Sequence, residues 1–158
     1  MSFRVGIGFD SHRFIADRPL ILAGISIPWH LGLKGHSDAD ALWHAITDAL
    51  LGAASLGDIG SHFPDIDPTY KNRESAYFLQ KTKILLDEKK YKIIHIDSVV
   101  ILEKPKLADY ILPMRQNTAK ILELEEHQVS IKAKTAEGMG YIGRGEGIAV
   151  HAAATLTC

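Results

Sequence analysis

Hydrophobic and polar positions alternate along FRVGIGF (residues 3–9), which runs into a polar turn, so a strand is expected there. The β-rich stretch LILAGISIP (20–28) is expected to pair with that strand or to extend its sheet. Over DADALWHAITDALLGAASL (38–56) the period changes to that of a helix. Leu42, Ala45, Ile46, Ala49, Leu50 and Ala53 share one apolar face, and Ser37 or Asp38 is the expected N-cap. A loop rich in Gly, Pro and Asp spans 57–73, long enough to suggest a functional role. A second helix is expected from about Glu74 to Lys89, with Ala76, Leu79, Lys83 and Leu86 in register. IIHIDSVVIL (93–102) reads as a buried strand, and EKPKLADYILP as an irregular link. Pro113 suits the first turn of a third helix that runs through Leu124. VSIKAKT (129–135) and GIAVHAAATLT (147–157) complete the strands.

The order β-β-α-α-β-α-β-β cannot be a regular βαβ alternation. It points to an α+β fold with a mixed sheet and helices packed on one face. The other face must then be covered, most simply by another subunit. At 158 residues, the chain 1–158 fits a single domain, and its 46% hydrophobic content is ordinary for a soluble protein. A net charge of -1 gives no general attraction to nucleic acid or to an anionic membrane, so neither is an expected partner. Cys158 is the only cysteine, which excludes an internal disulfide framework and a cysteine-rich zinc site within one chain. The opening MSFRVGIGFDSHRF carries charge too early for a signal peptide, and no apolar run is long enough to cross a bilayer. A cytoplasmic location is the expectation.

The chemistry concentrates in a few places. Asp10 and His12 form D-x-H, and in an extended segment both point to the same side. If His44 meets them from a helix, three mixed O and N donors leave a fourth position open, as in catalytic zinc sites. Chance spacing and a surface histidine are the plainer reading. Asp48 could orient a histidine from behind. In GDIGSHFPDIDP, Asp58, Asp65 and Asp67 with Gly57 and Gly60 could hold sugar hydroxyls, or the segment is a solvated turn and His62 merely exposed. GMGYIG (138–143) matches G-x-G-x-x-G, but the chain ends before the helix, strand and acidic residue of a dinucleotide site. What remains is a glycine-rich loop with Lys134, Thr135, Glu137, Arg144 and Glu146, suited either to phosphate and a hard divalent cation or to a polar hairpin. G-x-S-x-G is absent and a reactive cysteine is lacking. A metal-assisted reaction whose substrate brings its own nucleophile fits better than covalent catalysis.

GIGFDSHRF, GLKGHSDADALWHAITDALLGAASLGDIGSHFPDIDP, LEKPKL and IKAKTAEGMGYIGRGEGIAVHA, in this order, resemble the 2-C-methyl-D-erythritol 2,4-cyclodiphosphate synthases of the non-mevalonate isoprenoid pathway. The resemblance covers about residues 3 to 156. It implies a homotrimer with active sites between adjacent subunits and sheets lining its interior. It also implies zinc, or a similar divalent transition metal, on Asp10, His12 and His44. Glu137 stands at the position of a Mg2+ or Mn2+ ligand that bridges the diphosphate. His36 and Thr135 match transition-state stabilisers, and Ser37 lies beside the substrate. Asp58, Ile59 and Gly60, then Phe63, Pro64, Asp65, Ile66 and Asp67, match the segment that holds the erythritol part. Lys134, Thr135, Ala136 and Glu137 match the diphosphate turn, completed by Tyr141 and Arg144. The cytidine pocket corresponds to Leu102, Glu103, Lys104, Pro105, Lys106, Leu107 and Ala108. Two departures stand out: Ala39 replaces a common glycine in H-S-D-G-D, where a small residue should be tolerated, and KAKTAE replaces K-A-T-T-T-E.

The reaction so implied takes 4-diphosphocytidyl-2-C-methyl-D-erythritol 2-phosphate to the cyclic diphosphate and CMP, with the 2-phosphate attacking the β-phosphorus. Two rivals use the same residues: a metal-dependent pyrophosphatase with water as nucleophile, and a binding protein in which the metal is structural.

Overall fold

The computed structural model describes residues 2–64, 66–71 and 73–158. The first strand, β1 (Phe3–Ile15), continues well past the sequence expectation and carries Asp10 and His12 within it. β1 pairs antiparallel with β7 (Gly147–Thr157) without a break, from Phe3 opposite Thr157 to Arg13 opposite Gly147. β5 (Lys92–Ile101) pairs antiparallel with β7, and β6 (Val129–Lys134) runs parallel to β5. A short β4 (Gly32–Leu33) adds to the far end of β1, giving the mixed order β4-β1-β7-β5-β6. The fold is α+β, as expected.

The segment 20–28 departs from expectation. It forms a separate two-stranded hairpin, β2 (Leu20–Leu22) with β3 (Ile25–Ile27), and extends no larger sheet. The cause is its turn: Ala23 (φ 49°) and Gly24 (φ 68°) both take positive φ, the pattern of a two-residue hairpin turn.

Helix α1 (Ala41–Ala53) lies on β1 and β7, closely enough that only glycine fits beneath it. A Cβ at Gly6 would stand 2.0 Å from the Ala49 carbonyl oxygen, and one at Gly8 would stand 1.9 Å from that of Ala45. The four-residue α2 (Ile59–His62) and a 3-10 turn (Pro68–Tyr70) occupy the stretch expected to be a plain loop. α3 (Ser75–Glu88) packs on α1, and α4 (Ile111–Leu122) packs on β6, with Pro113 in its first turn. The link before α4 holds a cis Lys104–Pro105 bond and a 3-10 turn at Ala108–Tyr110. The short α5 (Gly140–Gly143) sits in the glycine-rich loop. Leu42, Ile46 and Leu50 of α1 are fully buried against the sheet, and Trp43 is anchored by a 2.9 Å hydrogen bond from its indole to Thr118 Oγ1. Among the described residues, no helix is long and apolar enough to cross a membrane.

α1 begins later than its periodicity suggested. Its N-cap is Asp40, neither Ser37 nor Asp38, and the cap carboxylate accepts from Trp43 N (3.1 Å) and from Gly24 N of the hairpin turn (2.7 Å). Ala39, just before it, is buried at φ 55°. A residue with a Cβ in that region costs roughly 1 kcal/mol relative to glycine, so the alanine carries strain that its small size does not remove.

Asp40 is completely buried, and burial pushes its carboxyl up to about 6 against the hydrogen bonds that favour the charged form. The folded chain thus keeps this proton to a higher pH than the unfolded chain does. The associated stability is present below about pH 4 and is lost as pH rises through 6, roughly 3 kcal/mol in all. Asp40→Asn cannot titrate. Its deficit relative to the parent, measured by urea melts, should therefore shrink by about that amount between pH 4 and pH 7. An equal deficit at both pH values would show that folding does not raise the Asp40 carboxyl.

Candidate functional site

The two-residue period of β1 puts Asp10 and His12 on the face covered by α1, and α1 brings His44 down beside them. His12 Nε2 lies 2.9 Å and His44 Nδ1 3.2 Å from Asp10 Oδ2, and the three donor atoms all fall within 4.8 Å of one another. These separations approach the ~3.4 Å edge of a tetrahedron with ~2.1 Å arms. Burial by itself would raise the Asp10 carboxyl, yet hydrogen bonds and charge from His12 and His44 hold it below the usual carboxylate range. Desolvation lowers His12, but its hydrogen bond and attraction to Asp10 outweigh that and raise it.

The outer nitrogen of each imidazole is tied as well. His12 Nδ1 is 2.6 Å from the Lys34 carbonyl, which can only accept. His12 therefore donates from Nδ1, which leaves Nε2, beside Asp10, as the nitrogen an ion would take in place of a proton. His44 Nε2 meets Ser75 Oγ at 2.8 Å. A carboxylate and two imidazoles with fixed outer nitrogens form the donor set of an open divalent metal site, so these residues fit zinc or a similar ion. Among the described residues, Asp48 makes no hydrogen bond to a histidine. Its carboxylate accepts from Ile59 N at 2.8 Å and so holds the start of α2.

The triad opens onto a cavity of about 470 Å³ that also takes in His36, Ser37, Ile59, Gly60 and Phe63. Arg18 holds the segment carrying His36 by donating to the carbonyl oxygens of Gly35 (2.6 Å) and Ser37, one on each side of the histidine. Asp58 and Asp67 are local caps: Asp58 accepts from Ser61 N (2.7 Å) and Asp67 from Thr69 N (2.8 Å). These bonds hold both exposed carboxyls below the usual range. Pro64 follows Phe63 out of the cavity lining, and Ile66 is 92% exposed. Asp65 lies outside the described residues. The sequence reading missed four lining residues: Gly35, Tyr70, Lys71 and Phe78. The aromatic signal was present, since Phe63 packs on Tyr70 and Phe78 with ring centroids 5.5 and 5.0 Å apart.

The phosphate and base candidates gather elsewhere. Leu102, Glu103, Pro105, Lys106 and Leu107 line a second cavity of about 70 Å³ with Lys134 and Thr135, and this lining shares no residue with the first. Lys104 and Ala108 flank the cavity in sequence but lie outside its lining. Glu103 braces the neighbouring turn, accepting from Ala136 N at 2.8 Å and Gly138 N at 3.4 Å. Thr135 Oγ1 donates to Glu137 at 2.9 Å, so Glu137 stands by this turn and is not one of the three converging ligands. Tyr141 lines a shallow cleft with Ser11, His12 and Arg13. The guanidinium of Arg144 is engaged by Glu146 at 2.6 Å, which leaves it less free for phosphate than its sequence position suggested.

Known proteins match both the chain and its fold. The model of the YgbB family matches residues 3–157. The 2-C-methyl-D-erythritol 2,4-cyclodiphosphate synthase of Brachyspira hyodysenteriae is 58% identical over 153 residues, covering 97% of each chain. A solved 2C-methyl-D-erythritol-2,4-cyclodiphosphate synthase in a CDP-bound form superposes with a TM-score of 0.90 at 36% identity, over 98% of this chain and all of that one. The bifunctional IspDF of Campylobacter jejuni superposes with a TM-score of 0.94 at 44% identity, and there this chain matches 98% of its own length but only 42% of the longer protein. With the family model covering nearly its whole length, the chain belongs to the YgbB family, that of the 2-C-methyl-D-erythritol 2,4-cyclodiphosphate synthases.

Proposed function

We propose that the chain, as a single domain over 1–158, converts 4-diphosphocytidyl-2-C-methyl-D-erythritol 2-phosphate to 2-C-methyl-D-erythritol 2,4-cyclodiphosphate and CMP. The convergence of Asp10, His12 and His44, each imidazole tied at its outer nitrogen, is the observation that carries this reading. Asp10, His12 and His44 would hold zinc, which when bound supplies Lewis-acid neutralisation of phosphate charge. Glu137 would hold Mg2+ or Mn2+ by the diphosphate.

The chain's own residues do the positioning. The 2-phosphate is already anionic, so no general base is needed for its attack on the β-phosphorus, and catalysis becomes alignment plus charge stabilisation. His36 donates toward the developing charge, Thr135 does so once its hydroxyl turns from Glu137, and Ser37 lies alongside the substrate. The turn from Lys134 through Thr135 to Ala136 takes the diphosphate, with the Lys134 ammonium as its cation, and Tyr141 and Arg144 flank it. The backbone around Pro105 and Lys106, within Leu102 to Ala108, takes the cytosine. Asp58 to Gly60 and Phe63 to Asp67 enclose the erythritol and keep out the water that would otherwise compete as attacker.

Assembly as a homotrimer, with active sites between adjacent subunits, accounts for two observations. The metal cavity and the base cavity are separate within one chain, so one subunit's base pocket can serve its neighbour's metal site. Phe3, Val5, Ile7 and Phe9 stand exposed in a row on the face of β1 turned away from α1, an apolar stripe that a second copy would bury. A cytoplasmic site of action fits the lone cysteine at position 158.

Phosphorus NMR of the products, after incubation with the cytidyl substrate, zinc and magnesium, tests the proposal. A cyclic diphosphate with CMP is expected. Linear erythritol phosphates would establish hydrolysis in its place, and zinc retention without turnover would mean a binding protein.

A further inference from the structure

We infer that Ser75 is a positioning residue for the metal centre, fixing His44 as the tautomer that turns its Nδ1 lone pair toward the ion. The inference rests on reading Asp10, His12 and His44 as metal ligands. Ser75 is the first residue of α3, thirty-one positions from His44, and its side chain is buried. Its Oγ touches two groups: it lies 2.8 Å from His44 Nε2 and donates to Asp38 Oδ1. Asp38 Oδ2 also accepts from Ser75 N at 3.1 Å, so the carboxylate grips the residue at two points.

The direction of this chain of hydrogen bonds follows from what each group can do. An ionised carboxylate only accepts, so the single hydroxyl hydrogen of Ser75 goes to Asp38. Ser75 Oγ is then left as an acceptor toward His44, which must carry its hydrogen on Nε2. That leaves Nδ1, 3.2 Å from Asp10 Oδ2, as the nitrogen that would give its lone pair to an ion shared with the carboxylate. The Lys34 carbonyl does the corresponding task for His12. Ser75 differs in being a side chain, which substitution can remove.

The test uses zinc-depleted full-length protein and zinc in competition with a chromophoric chelator. Ser75→Ala should bind zinc 10- to 100-fold more weakly than the parent, the usual cost of losing an outer partner of a ligating histidine. Its metal-free thermal midpoint should change by only a few degrees. Ser75→Thr keeps the hydroxyl and should bind within about threefold of the parent. In the zinc-loaded protein the His44 Nε2–H proton should be hydrogen-bonded and slow to exchange by NMR in the parent, and should exchange faster in Ser75→Ala. Unchanged zinc affinity in Ser75→Ala would overturn the inference, and so would an equal loss in Ser75→Thr, since shape and not the hydroxyl would then matter. If Ser75→Ala does not fold, Asp38→Asn decides: a threefold to tenfold loss supports the relay, and none overturns it. His44→Ala separates the two levels. Retained zinc there refutes the metal centre itself, whereas lost zinc there beside normal binding in Ser75→Ala refutes only the role of Ser75.

Discussion

His44→Ala should give a folded protein that neither retains zinc nor turns over. Zinc held by four ligands in small protein sites is worth about 10–16 kcal/mol, or about 3–4 kcal/mol per ligand, so losing one should weaken binding roughly 10²- to 10³-fold. Folding should survive, because alanine is the best helix former and position 44 lies in the second turn of α1 with its side chain at the edge of the cavity. Metal content after dialysis, together with phosphorus NMR of the products, reads both effects. Full turnover by metal-depleted His44→Ala would remove the triad from the mechanism.

The second large effect is expected at a residue that has no side chain. Gly8→Ala places a Cβ 1.9 Å from the Ala45 carbonyl oxygen and 2.8 Å from Ala49 N, and both are backbone atoms that cannot rotate away. Overpacking usually costs about 1–3 kcal/mol, and with rigid backbone on both sides about 3 kcal/mol or more is expected. Any relief requires lifting α1 from β1. Because α1 carries His44, whatever fraction folds should also bind zinc poorly. Gly52 on the same helix is the control. An added Cβ there meets nothing closer than 3.8 Å, so Gly52→Ala should be neutral or stabilise by up to about 1 kcal/mol. Urea midpoints and zinc titrations of the two variants measure the contrast, and a parent-like midpoint for Gly8→Ala would mean that α1 rides higher than described.

These residues also show what a sequence reveals and what it hides. Asp10 and His12 were legible because a strand repeats every two residues, and His44 because α1 declares itself by its apolar face. The contacts that orient the imidazoles were not legible. Ser75 and the Lys34 carbonyl reach the site from elements whose packing no local pattern encodes. The start of α1 was misplaced because Ser37, Asp38 and Asp40 are all cap-forming residues, and the choice is made by the positive φ of Ala39 and by Gly24 N from a distant turn. The hairpin at 20–27 hid for a similar reason: Ala-Gly is not a usual pair for its turn, so the apolar run read as one strand. The paired glycines of VGIGFD were in plain view, but their purpose appears only once α1 lies across them.

Strand β1 carries two kinds of information in opposite phase. Odd positions 3 to 9 hold the apolar stripe, and even positions hold the glycines under α1 and then the metal ligands at 10 and 12. The pairing with β7 shows no bulge that could absorb an extra residue. Deleting one codon anywhere between Phe3 and Phe9 would therefore do more than shorten an edge. With the ligands held in place, every residue before the deletion would change sides; loss of Phe9, for example, would turn Phe3, Val5 and Ile7 toward α1 and Gly6 and Gly8 outward. The outward positions can change in composition and the inward ones hardly at all, but the length serves both faces at once, so sequence change here should come by substitution and almost never by insertion or loss.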